Sequence, residues 1–250
     1  MKTRLDKLLL QRGLVPSRER AQALVLAGRV LVNEQKVQKA GAGVEDDARL
    51  RILGDDLPYV SRGGLKLAKA LQYWSIDVRG KTCLDIGAST GGFTDCLLQA
   101  GATKVIAVDT GHGQIDAKLR GDPRLRLLEK TNARYLTAER LSRDGNERQP
   151  ISVIVMDVSF ISATLLLPAV IAAAKADEPQ DLIVLVKPQF EVGRELVGKG
   201  GIVRDEQAQQ NAVRKVAVAV SNLGGRNVDV IESPILGMEG NREFLLHTEF

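Results

Sequence analysis

At 250 residues the chain is long enough for one large α/β domain and a small one, and its 44% hydrophobic and 26% charged residues form a core without disulfide or metal staples. No apolar run approaches the roughly 18 to 20 residues that span a bilayer, and the start Met-Lys-Thr-Arg-Leu-Asp-Lys lacks a signal peptide's apolar segment, so the expectation is a cytoplasmic protein without a membrane partner. Net charge is +4, yet residues 1 to 39 alone carry nine basic against three acidic residues, which points to an anionic partner at that end.

In chain order, the first segment reads as two helices and a hairpin. Thr3 is placed to cap a helix with Asp6 at its third position, Leu5, Leu8 and Leu9 make its apolar face, and Gly13 ends it. Pro16 and Ser17 open a second helix, in which Ala21, Leu24 and Val25 repeat the helical spacing before Gly28 closes it. Residues 30 to 37 alternate around a turn, as a hairpin does. Packing uses the apolar faces, so Arg4, Arg18, Arg20 and Arg29, with Lys36 beyond them, are expected outside, where they suit a phosphate backbone or simply water. Gly54-Asp55-Asp56-Leu57-Pro58 breaks all periodicity, which sets a linker at 54–58 between domains at 1–57 and 58–250.

Beyond the linker, strands at 82–86, 104–109, 151–156 and 182–186 alternate with helices at 64–73, 91–100, 161–175 and 205–223. Strands separated by helices predict an α/β fold, a mostly parallel, Rossmann-like sheet covered on both faces. Residues 226–232 and 243–250 are two strands with no helix between them, so the last strand is predicted to be antiparallel. Cys83 and Cys96 sit in apolar surroundings with no metal-ligand spacing, and are expected to be reduced core residues.

In an open parallel sheet the ligand lies beyond the carboxyl ends of the strands. There Asp85 is followed by Ile86-Gly87-Ala88-Ser89-Thr90-Gly91-Gly92-Phe93, a small-residue turn into a helix whose G-x-x-x-G-G spacing fails the dinucleotide fingerprint. Asp109 ends the next strand, placed to accept from two ribose hydroxyls. Acids without a phosphate cradle suit a cationic nucleoside, for which S-adenosylmethionine is the candidate. Gly193-Arg194-Glu195-Leu196-Val197-Gly198-Lys199-Gly200 misses the phosphate-loop pattern only at its last position, but Gly200 has no hydroxyl for Mg²⁺, so the segment reads as a loop near the site, with a lid as one role.

Lys187 follows five apolar residues at a strand's carboxyl end, and Asp157 occupies the matching end of the preceding strand. Lys66 begins a helix before the sheet, and Glu243 opens the final strand. Taken singly, these read equally well as a structural ion pair, a solvated first-turn lysine and an edge charge; their convergence on a nucleoside site favours chemistry.

Two resemblances add to this reading. Ser-Arg-Glu-Arg-Ala-Gln-Ala-Leu-Val-Leu-Ala-Gly-Arg-Val-Leu-Val-Asn, within residues 3 to 50, resembles the small α+β RNA-binding domain named after the fourth protein of the small ribosomal subunit. Val-Ser-Arg-Gly-Gly-Leu-Lys-Leu, Asp-Ile-Gly-Ala-Ser-Thr-Gly-Gly-Phe-Thr-Asp, Met-Asp-Val-Ser-Phe-Ile-Ser, Val-Lys-Pro-Gln-Phe-Glu and Gly-Asn-Arg-Glu-Phe together resemble the FtsJ-type ribose 2′-O-methyltransferases and, over nearly the whole chain, the TlyA family. That resemblance implies a ribosomal-RNA ribose methyltransferase, with cytidine the expected nucleoside and ribosomal RNA or ribosomal subunits the partner. It implies a Lys-Asp-Lys-Glu tetrad on Lys66, Asp157, Lys187 and Glu243, and S-adenosylmethionine held by Asp85, Gly87, Ala88, Ser89, Gly91, Gly92, Phe93, Asp109, Asn132, Ala133 and Asp157. Arg62 joins the RNA-binding set. No metal is expected, and the oligomeric state stays open.

An ordinary lysine, with a pKa of about 10.4, is a poor base at neutral pH, so its surroundings decide what it can do. Lys187 is assigned to orient and deprotonate the hydroxyl, Lys66 to hold substrate and stabilise oxyanion charge, and Asp157 to position Lys187. The competing functions are a membrane-lytic hemolysin, after the family's other label, and a non-catalytic RNA-binding assembly factor.

Overall fold

The computed structural model describes residues 2–15, 17–52, 57–142, 150–237 and 240–250. Two units divide the chain, Met1–Leu57 and Pro58–Phe250. Pro16 and residues 54–56 of the expected linker lie outside the described residues.

The first unit packs α1 (Leu5–Gln11) and α2 (Arg18–Leu26) with five short strands, β1 (Lys2–Arg4), β2 (Val30–Val32), β3 (Gln35–Lys36), β4 (Gly43–Glu45) and β5 (Leu50–Ile52). Its core is Leu5, Leu8, Leu9, Ala21, Leu24, Val25, Val30 and Val44. Ser17 caps α2 by accepting from Arg20 N at 3.2 Å, and Gly28 leaves the helix with φ +66°. Asn33 and Glu34 both take positive φ in the β2–β3 turn, the conformation that matches the twist of a two-residue hairpin. Thr3 does not cap α1: it pairs with Val44 in β1–β4, and Arg4 stands at the cap position without a side-chain bond. A ladder partner some forty residues away outcompetes the local cap, and Asp6, freed of capping, turns its carboxylate to Arg4, Arg18 and Gln22.

In the second unit seven strands, β6 (Thr82–Ile86), β7 (Lys104–Val108), β8 (Leu125–Leu128), β9 (Ile151–Met156), β10 (Asp181–Val186), β11 (Arg226–Glu232) and β12 (Phe244–Glu249), form one sheet in the order β11-β12-β10-β9-β6-β7-β8. Five are parallel, and β12 runs antiparallel to both neighbours, as two strands joined without a crossover helix require. The helices are α3 (Gly63–Tyr73), α4 (Gly92–Gln99), α5 (Ala117–Arg120), α6 (Ala138–Leu141), α7 (Leu167–Ala174), α8 (Pro188–Glu191) and α9 (Glu206–Asn222). The helix expected over 161–175 is shorter: a 3₁₀ turn at Ala163–Leu165 precedes α7, because Pro168 fixes the first helical turn. β8 and the short helices α5, α6 and α8 were not expected.

Alternation along the strands sorts the side chains onto two faces. Leu84, Ile86, Ile154, Met156, Leu182, Val184 and Leu246 pack with Leu167, Val170, Val216 and Val220 of α7 and α9. Cys83, Val153, Val155, Ile183, Leu185 and Leu245 pack with Leu67, Ala70, Phe93 and Leu97 of α3 and α4. With a period of two, Asp85, Asp157, Lys187 and Glu243 continue this second series, so all four belong to the α3/α4 face. Cys83 and Cys96 are buried there as free thiols, both pushed up to about 12 by burial, which makes them inert.

The start of α4 lies against the start of α3 with no space between: a Cβ on Gly92 would come within 2.2 Å of Ser61 Oγ and 3.1 Å of Gly64 N. We expect Gly92→Ala to force the two helix starts apart and cost about 1–3 kcal/mol, read as a lower urea midpoint at unchanged slope.

Candidate active site

The residue ladder continues past the strands and brings the four polar groups to one end of the sheet. Val186 pairs with Phe244, so Lys187 and Glu243 adjoin that pair on adjacent strands. Asp157 N donates to Ile86 O at 2.9 Å, which extends β9 by one residue beside β6. Lys66 comes from the first turn of α3, above the same face.

They form two ion pairs. Lys66 Nζ donates to Glu243 Oε2 at 2.5 Å, with both side chains nearly closed to solvent. Lys187 Nζ stands 2.5 Å from Asp157 Oδ1 and donates to Ser159 Oγ at 2.9 Å. The second pair is the more open, with 21% of the Asp157 side chain accessible against 3% for Glu243. Asp157 Oδ1 receives no directed hydrogen bond although the ammonium touches it, so the contact is electrostatic and Lys187 keeps donors for another partner.

The turn after β6 is built to pass close over β9. A Cβ on Gly87, at φ +85°, would meet Asp157 O at 2.4 Å, so this position accepts only glycine. Ser89 and Gly91 also take positive φ. Asp109 fastens the turn: its Oδ2 accepts from Ser89 N at 2.8 Å and its Oδ1 from Gly111 N at 2.6 Å. Asp85 is completely buried; its Oδ2 accepts from Thr94 Oγ1 at 2.6 Å while Oδ1 has no partner. Burial pushes its carboxyl up to about 7, and the charge of Asp157 adds to this while the Thr94 bond opposes it.

The remaining predicted positions are dispersed in role. Ser89 is exposed, whereas Ala88, Gly92 and Phe93 are buried, the Phe93 ring in the α3/α4 core. Asn132 caps a 3₁₀ turn by accepting from Arg134 N at 2.9 Å, and Ala133 packs in the opposite core. Arg62 is exposed at the start of α3. In the first unit Arg4 and Arg18 both bind Asp6, Arg20 and Arg29 are half-buried, and Lys36 is exposed. The loop at 193–201 is anchored at its far end, where Asn241 Nδ2 donates to Gly201 O at 2.8 Å and Asn241 Oδ1 accepts from Val203 N at 2.9 Å.

Three residues at the site escaped sequence reasoning. Ser159 holds Lys187. Phe160 is 91% exposed, with φ +65° and its ring 5.3 Å from that of Phe190. Glu191 is buried between the loops that follow β9 and β10. All three lie within a few residues of Asp157 or Lys187, which was the available signal; their exposure and backbone conformation were not. Among the described residues no group of three or more His, Cys, Asp or Glu side chains is arranged to hold a metal.

Comparison with known proteins follows the two units. Residues 59–250 match the family described as FtsJ-like methyltransferase, and residues 3–50 match the S4 domain. Over 98% of this chain and 89% of the relative, the sequence is 44% identical to the 16S/23S rRNA (cytidine-2'-O)-methyltransferase TlyA of Mycobacterium tuberculosis. It is 42% identical to a Brachyspira hyodysenteriae protein named Hemolysin A, over 98% of each chain. A solved Streptococcus thermophilus structure described as a hemolysin superposes with a TM-score of 0.75 at 42% identity, over 99% of this chain and 88% of that one.

Asp85 has a consequence for stability. An ordinary aspartate releases its proton near 3.8, and in the folded protein this one holds it to about 7. Folded protein therefore binds the extra proton between those values, and the stabilisation from this group, complete below about pH 4, is lost as pH rises through about 7. Urea midpoints measured from pH 5 to 8 should fall in the native protein, and Asp85→Asn should lack that component of the slope.

Proposed function

The chain belongs to the FtsJ-like methyltransferase family and carries an S4 domain ahead of the catalytic unit, and from that premise we propose that it methylates a ribose 2′-hydroxyl of ribosomal RNA, with cytidine as the target nucleoside. The observation that carries this reading is the pairing of Lys187 with Asp157 and of Lys66 with Glu243 at the carboxyl end of one sheet.

S-adenosylmethionine, when bound, supplies a methyl group on a cationic sulfur. The residues present suit such a group: the glycine turn at 87–91 is flanked by the carboxylates of Asp85, Asp109 and Asp157, and the buried Oδ1 of Asp85 has no donor. The charges of Asp109 and Asp157 repel a pyrophosphate and favour a cation, and Asp85 adds its own charge as pH rises through about 7. Asp109 and the turn would hold the nucleoside portion, and Asp157 the charged end.

A ribose hydroxyl must lose its proton as it attacks. Lys187, its nitrogen held by Asp157 and Ser159, is the group that takes the 2′-hydroxyl as a hydrogen-bond partner, and as the neutral amine it accepts the hydroxyl proton while the oxygen attacks. Lys66, locked on buried Glu243, is a fixed positive charge that steadies developing oxyanion charge without moving. Phe160, its face exposed beside Ser159, offers a platform on which a base can stack, a contact worth roughly 1–3 kcal/mol. The S4 unit binds RNA through its basic surface, and the catalytic unit performs the transfer.

The name of the Brachyspira relative supports a lytic reading, but among the described residues no helix is long and apolar enough to cross a membrane, and α9, the longest, buries Ala208, Ala212, Val216 and Val220. Dye release from lipid vesicles by Lys187→Ala protein would support lysis independent of chemistry.

The deciding experiment transfers radiolabelled methyl from S-adenosylmethionine to separated ribosomal subunits, their extracted RNAs and transfer RNA, and analyses the product for 2′-O-methylribose. Label is expected in a subunit or its RNA, on ribose. Lys187→Ala should reduce it by at least about 100-fold while cofactor binding stays near native. Cofactor binding lost together with activity would make Lys187 structural, and absence of label in every ribosomal substrate would overturn the assignment.

A further inference from the structure

Between the two loops that carry the site's chemistry lies a carboxylate with no part in it. Glu191 ends α8, four residues after Lys187, and only 2% of its side chain is accessible. Its Oε2 accepts from Ser162 Oγ at 2.5 Å and its Oε1 from Ala163 N at 2.7 Å, both in the segment that follows Asp157, Ser159 and Phe160. Lys215 of α9 closes the arrangement, with its Nζ 3.1 Å from Glu191 Oε2 and donating to Glu191 O at 2.8 Å. One buried side chain thus ties the loop after β9, the turn after β10 and a helix of the opposite layer.

The tether spans the two segments whose relative position defines the site. Asp157 and Lys187 face each other across them at one end, and Phe160 and Phe190 at the other. Phe160 holds an exposed aromatic ring at φ +65°, a conformation that costs energy for a residue with a Cβ and persists only where its neighbours impose it. The bonds to Ser162 and Ala163 begin two residues later and supply that constraint. A buried carboxylate is costly to maintain unless its oxygens are satisfied, and here each has a donor from the segment it holds.

We propose that Glu191 is a positioning residue for methyl transfer: it fixes the 158–163 loop against the Lys187 turn, so that Phe160 and Lys187 present base and ribose in one geometry. This rests on the ribose-methyltransferase reading. It predicts that Glu191 acts on the reacting geometry and not on the cofactor.

The test compares single-turnover methylation by native protein, Glu191→Ala, Glu191→Gln, Phe160→Ala and the Glu191→Ala/Phe160→Ala double variant, at saturating ribosomal substrate and cofactor, alongside cofactor affinity and urea midpoint. Glu191→Ala should slow transfer by about 100-fold, the scale of a small misplacement of reacting groups, with cofactor affinity unchanged. Glu191→Gln keeps an acceptor for Ala163 N, weakens the attraction to Lys215 and should fall between, so it carries the test if the alanine variant does not fold. The double variant should lose much less than the product of the single losses, because Glu191 works through the loop that bears Phe160. Transfer at the native rate in both Glu191 variants, or multiplicative losses with cofactor affinity falling in step with stability, would overturn the positioning role. Failure of the native protein to methylate ribose would remove the underlying reading instead, so the two failures are separable.

Discussion

A lysine ammonium at the end of an apolar strand demands a counter-charge, and the way this demand is met twice over organises the catalytic unit. β10 has β9 on one side and β12 on the other, so Lys187 stands between strand ends carrying Asp157 and Glu243. Asp157 takes Lys187, and Glu243 is left for a second lysine, which α3 supplies. Breaking a buried pair by removing one partner typically costs 3–5 kcal/mol, so the Lys66–Glu243 contact holds α3 on the sheet as well as placing a charge. The far end of α3 is held separately: Trp74 stacks on His247 of β12 with ring centroids 5.1 Å apart, and its Nε1 donates to Asp229 at 2.8 Å. Helix and strand are fastened at both ends, which fixes the axial position of Lys66.

The same logic explains the run Asn241-Arg242-Glu243, in which three consecutive residues serve four neighbours. Asn241 spends both ends of its amide on the chain at 201–203, Arg242 binds Glu232 at 2.8 Å and Glu206 at 3.5 Å, and Glu243 binds Lys66. The segment entering β12 therefore couples the loop after α8, the start of α9, the edge strand β11 and the helix α3. Substitution at Asn241 would leave the half-buried Gly201 carbonyl and the buried Val203 N–H without this side chain's bonds, so it transmits to the site through backbone position rather than charge.

Legibility followed the range of the governing interaction. The central strands were readable because burial on both faces gives continuous apolar runs, and the charges that follow them stood out against that background. Alternation then sufficed to place Asp157 and Lys187 at corresponding strand ends. β8 was missed because Leu125-Arg126-Leu127-Leu128 is four residues long, half-buried at an edge and interrupted by an arginine, whose guanidinium binds the carbonyls of Arg140, Leu141 and Ser142. Thr3 was misplaced because its partner, Val44, is remote in sequence. That Phe160 points outward depends on a positive φ for which a phenylalanine gives no local signal.

The basic N-terminal unit shows why a tally of charges misleads. Of its arginines, Arg4 gives Asp6 two hydrogen bonds of 3.0 Å and Arg18 a third of 2.9 Å, while Gln22 adds another of 3.0 Å. The Arg4 bonds hold the buried Asp6 carboxyl well below the usual carboxylate range, against the opposing effect of burial, so it stays ionised and offsets one of the two positive charges. Arg51 of β5 likewise pairs with Glu34 in the β2–β3 turn. The field such a surface projects is weaker than nine basic residues imply, but Arg4 and Arg18 are held at fixed spacing with their side chains still 48% and 42% accessible. A guanidinium already oriented by a carboxylate loses little entropy on meeting a further acceptor, so what this surface offers an anion is the geometry of a few fixed donors more than the strength of its charge.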